Sequence, residues 1–133
     1  MSAHYYVDDG EIAYQAAPHS RGCWHIGRNY GSKNLFGRYG NRNSIAVEMC
    51  VQKGYDYETA FLHTVELVKD LMNETGIPSD AVYRHYDICS KNCDAIPVSI
   101  SAEQIFTYSG TGERPDERDG DSIRCSLPAL RHL

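Results

Sequence analysis

His4-Tyr5-Tyr6-Val7 and Ile12-Ala13-Tyr14-Gln15 are β-prone runs on either side of Asp8-Asp9-Gly10-Glu11. Asp-Gly between two such runs is a hairpin signal, because glycine tolerates the positive φ of a tight turn. Further on, Asn43-Ser44 open Ile45-Ala46-Val47-Glu48-Met49-Cys50-Val51, an almost continuous apolar run. That pattern predicts a strand buried on both faces, interrupted by one carboxylate. Phe61, Val65, Val68 and Met72, flanked by Leu62 and Leu71, recur at helical spacing. They predict an amphipathic helix with Asp56 as N-cap, Glu58 in its first turn, Gly76 as C-cap and Pro78 preventing continuation. Ala81-Val82-Tyr83 reads as a short strand that ends at His85, and Ser101 to Phe106 as a short helix.

The 133 residues suffice for one domain with a core. We expect the ordered domain over 1–106 and a polar, weakly ordered tail over 107–133, rich in Gly, Ser, Asp, Glu and Arg. A net charge of −5 argues against a general nucleic-acid binder. No stretch approaches the ~18 apolar residues of a membrane span. Met1-Ser2-Ala3-His4 carries neither a basic nor an apolar leader region, and five cysteines fit no closed disulfide framework. Reduced thiols in a cytoplasm are therefore the expectation.

Three places carry candidate chemistry. Residues 21–43 hold five glycines, four aromatic side chains, Arg21, Arg28, Lys33, Arg38 and Arg42, and no acidic residue. The segment reads either as a long solvated loop or as a recognition loop for an anionic ligand. Glu48 costs several kcal/mol inside an apolar strand unless it is paired or functional, so it is an ion-pair partner or a general base. His85, Lys91 and Cys93 place an imidazole, an ammonium and a thiolate close in sequence. They suit half of a metallohydrolase site, zinc taking the first and last and the lysine meeting developing negative charge. The competing reading makes His85 a strand end and the cysteines buried apolar residues. His85, Cys89 and Cys93 also recur every four residues, as on one helix face, although Ser90-Lys91-Asn92 reads as loop. His63, alone on the predicted helix, reads as a surface or packing residue.

Four motifs occur in one order: Ser2-Ala3-His4-Tyr5-Tyr6-Val7-Asp8, Cys23-Trp24-His25-Ile26-Gly27, Asn43-Ser44-Ile45-Ala46-Val47-Glu48, and Arg84-His85-Tyr86-Asp87 continuing to Lys91-Asn92-Cys93. Over residues 2–93 the chain resembles the zinc-dependent N-acetylmuramoyl-L-alanine amidases of phage endolysins and bacterial autolysins, whose fold peptidoglycan recognition proteins share. The resemblance implies an α/β fold with a mixed central sheet flanked by helices. It implies one zinc ion bound by His85 and Cys93, Glu48 as catalytic base and Lys91 on the oxyanion. It places the segment from Trp24 and His25 in a cleft for peptidoglycan or a muropeptide, and Arg28, Tyr30 and Asn43, in the basic and aromatic 21–43 segment, are further candidates to bind that ligand.

The family's first zinc histidine lies on a strand that would precede Met1, so the resemblance implies an N-terminally shortened domain. A third ligand would then come from His4, His19, His25 or a partner chain. Asp94 follows Cys93 where the family has proline. A missing central strand would expose a sheet edge, and a homodimer could cover it. The expected activity is cleavage of the amide between N-acetylmuramic acid and L-alanine. The alternatives are a non-catalytic peptidoglycan-binding module and an inactive remnant. The expected location, by the resemblance to endolysins, is the cytoplasm until release, with action on the cell wall.

Overall fold

The computed structural model describes residues 2–32, 34–50 and 53–91, and the backbone of 124–130. Its sheet has four strands in the order β2-β1-β3-β4. Strand β1 (Tyr5–Val7) pairs antiparallel with β2 (Tyr14–Gln15) and parallel with β3 (Ser44–Cys50). Strand β4 (Arg124–Leu130) runs antiparallel along the other flank of β3. The sheet is thus mixed, as expected, and the helices complete an α/β fold.

The predicted hairpin forms between β1 and β2, with the Asp8 carboxylate accepting the Gly10 N–H at 2.8 Å. Asp9 accepts the Asp56 N–H at 2.7 Å, which ties the hairpin to the start of α1 (Tyr57–Thr75). Asp56 caps that helix through the N–H groups of Glu58 and Thr59, and Gly76 ends it at a φ of 74°. Both caps were legible because each uses a residue type suited to its backbone conformation.

The buried stripe of α1 is Ala60, Phe61, Thr64, Val65, Val68 and Leu71. It packs on Tyr5, Val7, Ile45, Val47 and Met49 of the sheet. Burying each large side chain in that stripe contributes about 1.5–3 kcal/mol. Leu62 falls outside the stripe and is exposed, and Met72 is only half-buried against the core. Ser44 to Met49 are all buried, so β3 is covered on both faces as predicted. Ile45, Val47 and Met49 face α1; by the two-residue period of a strand, Ser44, Ala46 and Glu48 face the other way. That second face meets the 21–43 loop through Ser44, and a smaller cluster of Ile26, Ile88 and Cys89 lies apart from the main core. Tyr39 and Tyr83, 5.2 Å apart between ring centroids, pack against both clusters and join them.

Two expectations change. Ala81 closes a 3-10 turn (Ser79–Ala81), and His85 begins a short helix, α2 (His85–Cys89), instead of ending a strand. The cause is a capping box: Asp87 accepts the Arg84 N–H at 2.9 Å and the Arg84 guanidinium at 3.0 and 2.7 Å. The helix-face alternative therefore holds for His85 and Cys89, whose thiol lies 3.6 Å from the His85 carbonyl. Second, residues 124–130, read as part of a weakly ordered tail, form β4 and cover the flank of β3.

Pro128 stands opposite Ala46. The Ala46 N–H and C=O are both engaged by His4, at 3.0 and 3.1 Å, so they point toward β1. A proline opposite that position forfeits no ladder hydrogen bond. The expected helix over Ser101 to Phe106 and the remainder of the tail lie outside the described residues.

Candidate functional site

His85 occupies the first position of α2 and is buried at 4% exposure. Its Nε2 lies 2.8 Å from the Ile26 carbonyl, which only an N–H can satisfy. The proton therefore sits on Nε2 and the ring's lone pair on Nδ1. A metal-ligating histidine is oriented in this way, with the second nitrogen held by a carbonyl. Burial pushes the His85 pKa down, the Lys91 charge adds to that, and the Ile26 carbonyl partly opposes it. Lys91 follows Ser90 at the end of α2, is half-buried, and sits close enough to act electrostatically on both His85 and Cys89.

Ile26 is itself held. Asn41 Oδ1 accepts the N–H groups of His25 and Ile26 at 3.0 and 2.9 Å, and the Asn41 carbonyl accepts the Cys23 N–H at 3.2 Å. Gly27 follows at a φ of 73°, a turn that a residue with a Cβ makes only under strain. Asn41 was not singled out in the sequence. Its only signal is an amide side chain within a glycine-rich loop, which is common.

The other histidines are committed to structure. His4 Nδ1 accepts the Ala46 N–H, so its Nε2–H donates to the Arg21 carbonyl at 2.8 Å. His25 contacts the Cys23 carbonyl through Nδ1 and the Ser44 hydroxyl through Nε2, both at 2.7 Å. The Ser44 hydroxyl also reaches the Gly40 carbonyl at 2.8 Å, so β3 and both ends of the loop meet at this ring. Burial, with the nearby His4 and His85 rings, drives the His25 pKa down to about 4, against the pull of the Cys23 carbonyl. His19 Nε2 is bonded to the Tyr5 hydroxyl at 2.7 Å, and His63 Nδ1 lies 3.3 Å from the Asp8 carbonyl.

Glu48 is 5% exposed, on the loop-facing side of β3 and opposite Tyr6 of β1 in register. Trp24, Arg28 and Tyr30 project from the loop into solvent, with Tyr86 of α2 exposed as well. His25 lies beneath that surface. Asn43 closes the 38–43 turn, donating to the Arg38 carbonyl at 3.1 Å and accepting the Gly40 N–H at 2.7 Å. Lys33 and Cys93 lie outside the described residues. Among the described residues, no three His, Cys, Asp or Glu side chains gather closely enough to hold a metal ion.

This arrangement of loop, strand and short helix agrees with the comparisons to known proteins. Residues 1–96 match the family described as N-acetylmuramoyl-L-alanine amidase, and the chain belongs to that family. The chain is similar to N-acetylmuramoyl-L-alanine amidase CwlL of Bacillus licheniformis, at 36% identity over 80% of this chain and 30% of the relative. It is similar also to N-acetylmuramoyl-L-alanine amidase XlyB of Bacillus subtilis, at 37% identity over 69% of this chain and 27% of the relative. A probable N-acetylmuramoyl-L-alanine amidase of Bacillus licheniformis is 34% identical over 69% of this chain and 26% of its own length. The chain thus spans less than a third of the length of these relatives. No solved structure matches it.

Proposed function

We propose that this domain cleaves the amide between N-acetylmuramic acid and the L-alanine of a peptidoglycan stem peptide. The observation that carries the reading is the seating of His85: buried, its Nε2–H on the Ile26 carbonyl, with Lys91 beside it. The names of its relatives support the same reaction.

His85 fits a zinc ligand. Both ring nitrogens of His4 and of His25 are hydrogen-bonded within the fold, and the His19 Nε2 is held by Tyr5. The proposal assigns a second ligand to Cys93 and a third to a residue outside the described set. Zinc, when bound there, would supply Lewis acidity toward the scissile carbonyl and acidify water. Glu48 would take the proton from the attacking water and pass it to the leaving L-alanine amine. Lys91 would share the negative charge that develops on the carbonyl oxygen. Trp24, Arg28 and Tyr30 offer aromatic faces and a guanidinium to sugars and to a carboxylate-bearing stem peptide. His25 and Asn43 would shape that cleft by holding its loop.

A second reading is a peptidoglycan-binding module without catalysis, for which the exposed aromatic faces of Trp24 and Tyr30 would suffice. Elemental analysis of protein purified without chelator separates the two. About one zinc per chain, with release of L-alanine-terminated peptide from muropeptide that Glu48→Gln abolishes, supports the amidase. Muropeptide binding without zinc and without turnover would replace it with the binding module.

A further inference from the structure

Among the described residues, Ser90 is the only non-glycine with a positive φ, at 58°. It ends α2, its N–H donating to the Tyr86 carbonyl at 2.8 Å. Glycine is the usual residue in that left-handed conformation, because a Cβ disfavours it. Ser90 therefore needs an external hold, and the loop over 29–35 provides one. Asn34 Nδ2 donates to the Ser90 hydroxyl at 2.9 Å and to Asn29 Oδ1 at 2.7 Å. Asn29 Oδ1 also accepts the Gly31 N–H at 3.2 Å. On either side, the N–H groups of Tyr30 and Leu35 donate to the Cys89 and Asp87 carbonyls at 2.8 and 3.3 Å. Gly31 lies so close beneath that any Cβ on it would overlap the Ser90 side chain.

The backbone angles of Ser90 set the direction in which the chain leaves α2, and the next residue is Lys91. We propose that Asn34 is a positioning residue for Lys91: its amide holds Ser90 in the left-handed conformation and so aims the following ammonium at the His85 side of the site. The effect on turnover rests on the amidase reading above; the effect on backbone conformation does not. No part of the clasp touches the reacting atoms. It acts through one torsion, and a torsional role differs from simple packing in how it can be repaired.

The test uses the full chain as Asn34→Ala, Ser90→Gly and the double variant. Glycine adopts the left-handed conformation without help, so Ser90→Gly should restore what Asn34→Ala loses. Carbon and nitrogen chemical shifts report the conformation at residue 90, and amide exchange reports order at Lys91. In Asn34→Ala we expect residue 90 to leave the left-handed region and Lys91 exchange to accelerate. We also expect kcat on muropeptide to fall about tenfold with KM changed by less than about twofold. The double variant should return to wild-type values on all three. A residue 90 that stays left-handed in Asn34→Ala, or a double variant as impaired as the single, overturns the proposal. If Asn34→Ala does not fold, Ser90→Ala removes the same bond and carries the same expectation. Lys91→Ala is the control for the reaction. Absent turnover in the wild type would sink the amidase reading, and equal turnover in wild type and Lys91→Ala would remove Lys91 from the reaction and overturn the expected kcat effect, while the shifts and exchange would still decide the conformational role.

Discussion

Acid should unfold this domain through its buried histidines, and His25 gives the effect a magnitude. The ring is 1% exposed and its pKa lies at about 4, against 6.5 for a free histidine. Below pH 6.5 the unfolded chain binds a proton at this residue that the native chain refuses. Stability attributable to His25 is therefore complete above pH 6.5, declines as pH falls, and is gone below about 4. At about 1.36 kcal/mol per pH unit, the interval from 6.5 to 4 is worth about 3 kcal/mol. By pH 4.5 most of it is lost. His4 and His85 are also shifted downward by burial and act in the same direction. The assay is urea unfolding at half-unit pH steps and constant ionic strength. The comparison is with His25→Asn, whose amide still donates toward the Cys23 carbonyl but does not titrate. The wild type should lose more stability than His25→Asn between pH 6.5 and 4.5, by up to about 1.4 kcal/mol per pH unit. If the two curves run parallel across that interval, burial does not control this ring and the reasoning fails.

Three further outcomes follow from individual contacts. Asp87→Ala removes the capping box of α2 and a pair one-third exposed, at 33% and 31%. We expect a loss of about 1–2 kcal/mol in urea unfolding, mostly from the cap because solvent screens the ion pair; Asp87→Asn should recover part of it. Asn41→Ala leaves the His25 and Ile26 N–H groups without their acceptor. It should cost about 2 kcal/mol and loosen the loop that carries Ile26, seen as faster exchange of those two amides. Leu71→Ala, at a position 2% exposed in the α1 stripe, should cost about 2–5 kcal/mol in thermal or urea unfolding while leaving muropeptide binding intact.

Much of the architecture was legible where one local rule governed the outcome. Asp56 and Gly76 set the ends of α1 and the apolar run from Ile45 set β3; β1 and β2 pair as expected, but across a connection from Asp8 to Ala13 in which Gly10 does not take the positive φ of a tight turn. The stripe of α1 was read one position wide of the truth at Leu62, because helical periodicity places a face only to within a residue or so. Residues 81–89 were misread for a physical reason. Ala81-Val82-Tyr83 has strand composition, but the Arg84–Asp87 box closes a helical turn immediately after it, and a five-residue helix has no periodicity to reveal it.

The candidate site divides the same way. The residue types at 48, 85 and 91 could be singled out from the sequence, since an isolated carboxylate in an apolar strand and a histidine near a lysine are unusual enough to notice. Their environment did not. His25 and His85 look alike in the chain, each next to an aromatic residue. Only the fold makes one a structural knot between loop and strand, and fixes the other's tautomer through the Ile26 carbonyl, 59 residues away. Asn41 and Asn34 were silent for the same reason: their partners are distant in sequence, and an asparagine in a polar loop signals nothing until those partners are seen. Caps, turns and stripes follow from interactions within a few residues, which the sequence displays directly. Tautomers, buried pKa values and the hold on Ser90 arise from groups brought together across the chain, and tertiary structure alone decides them.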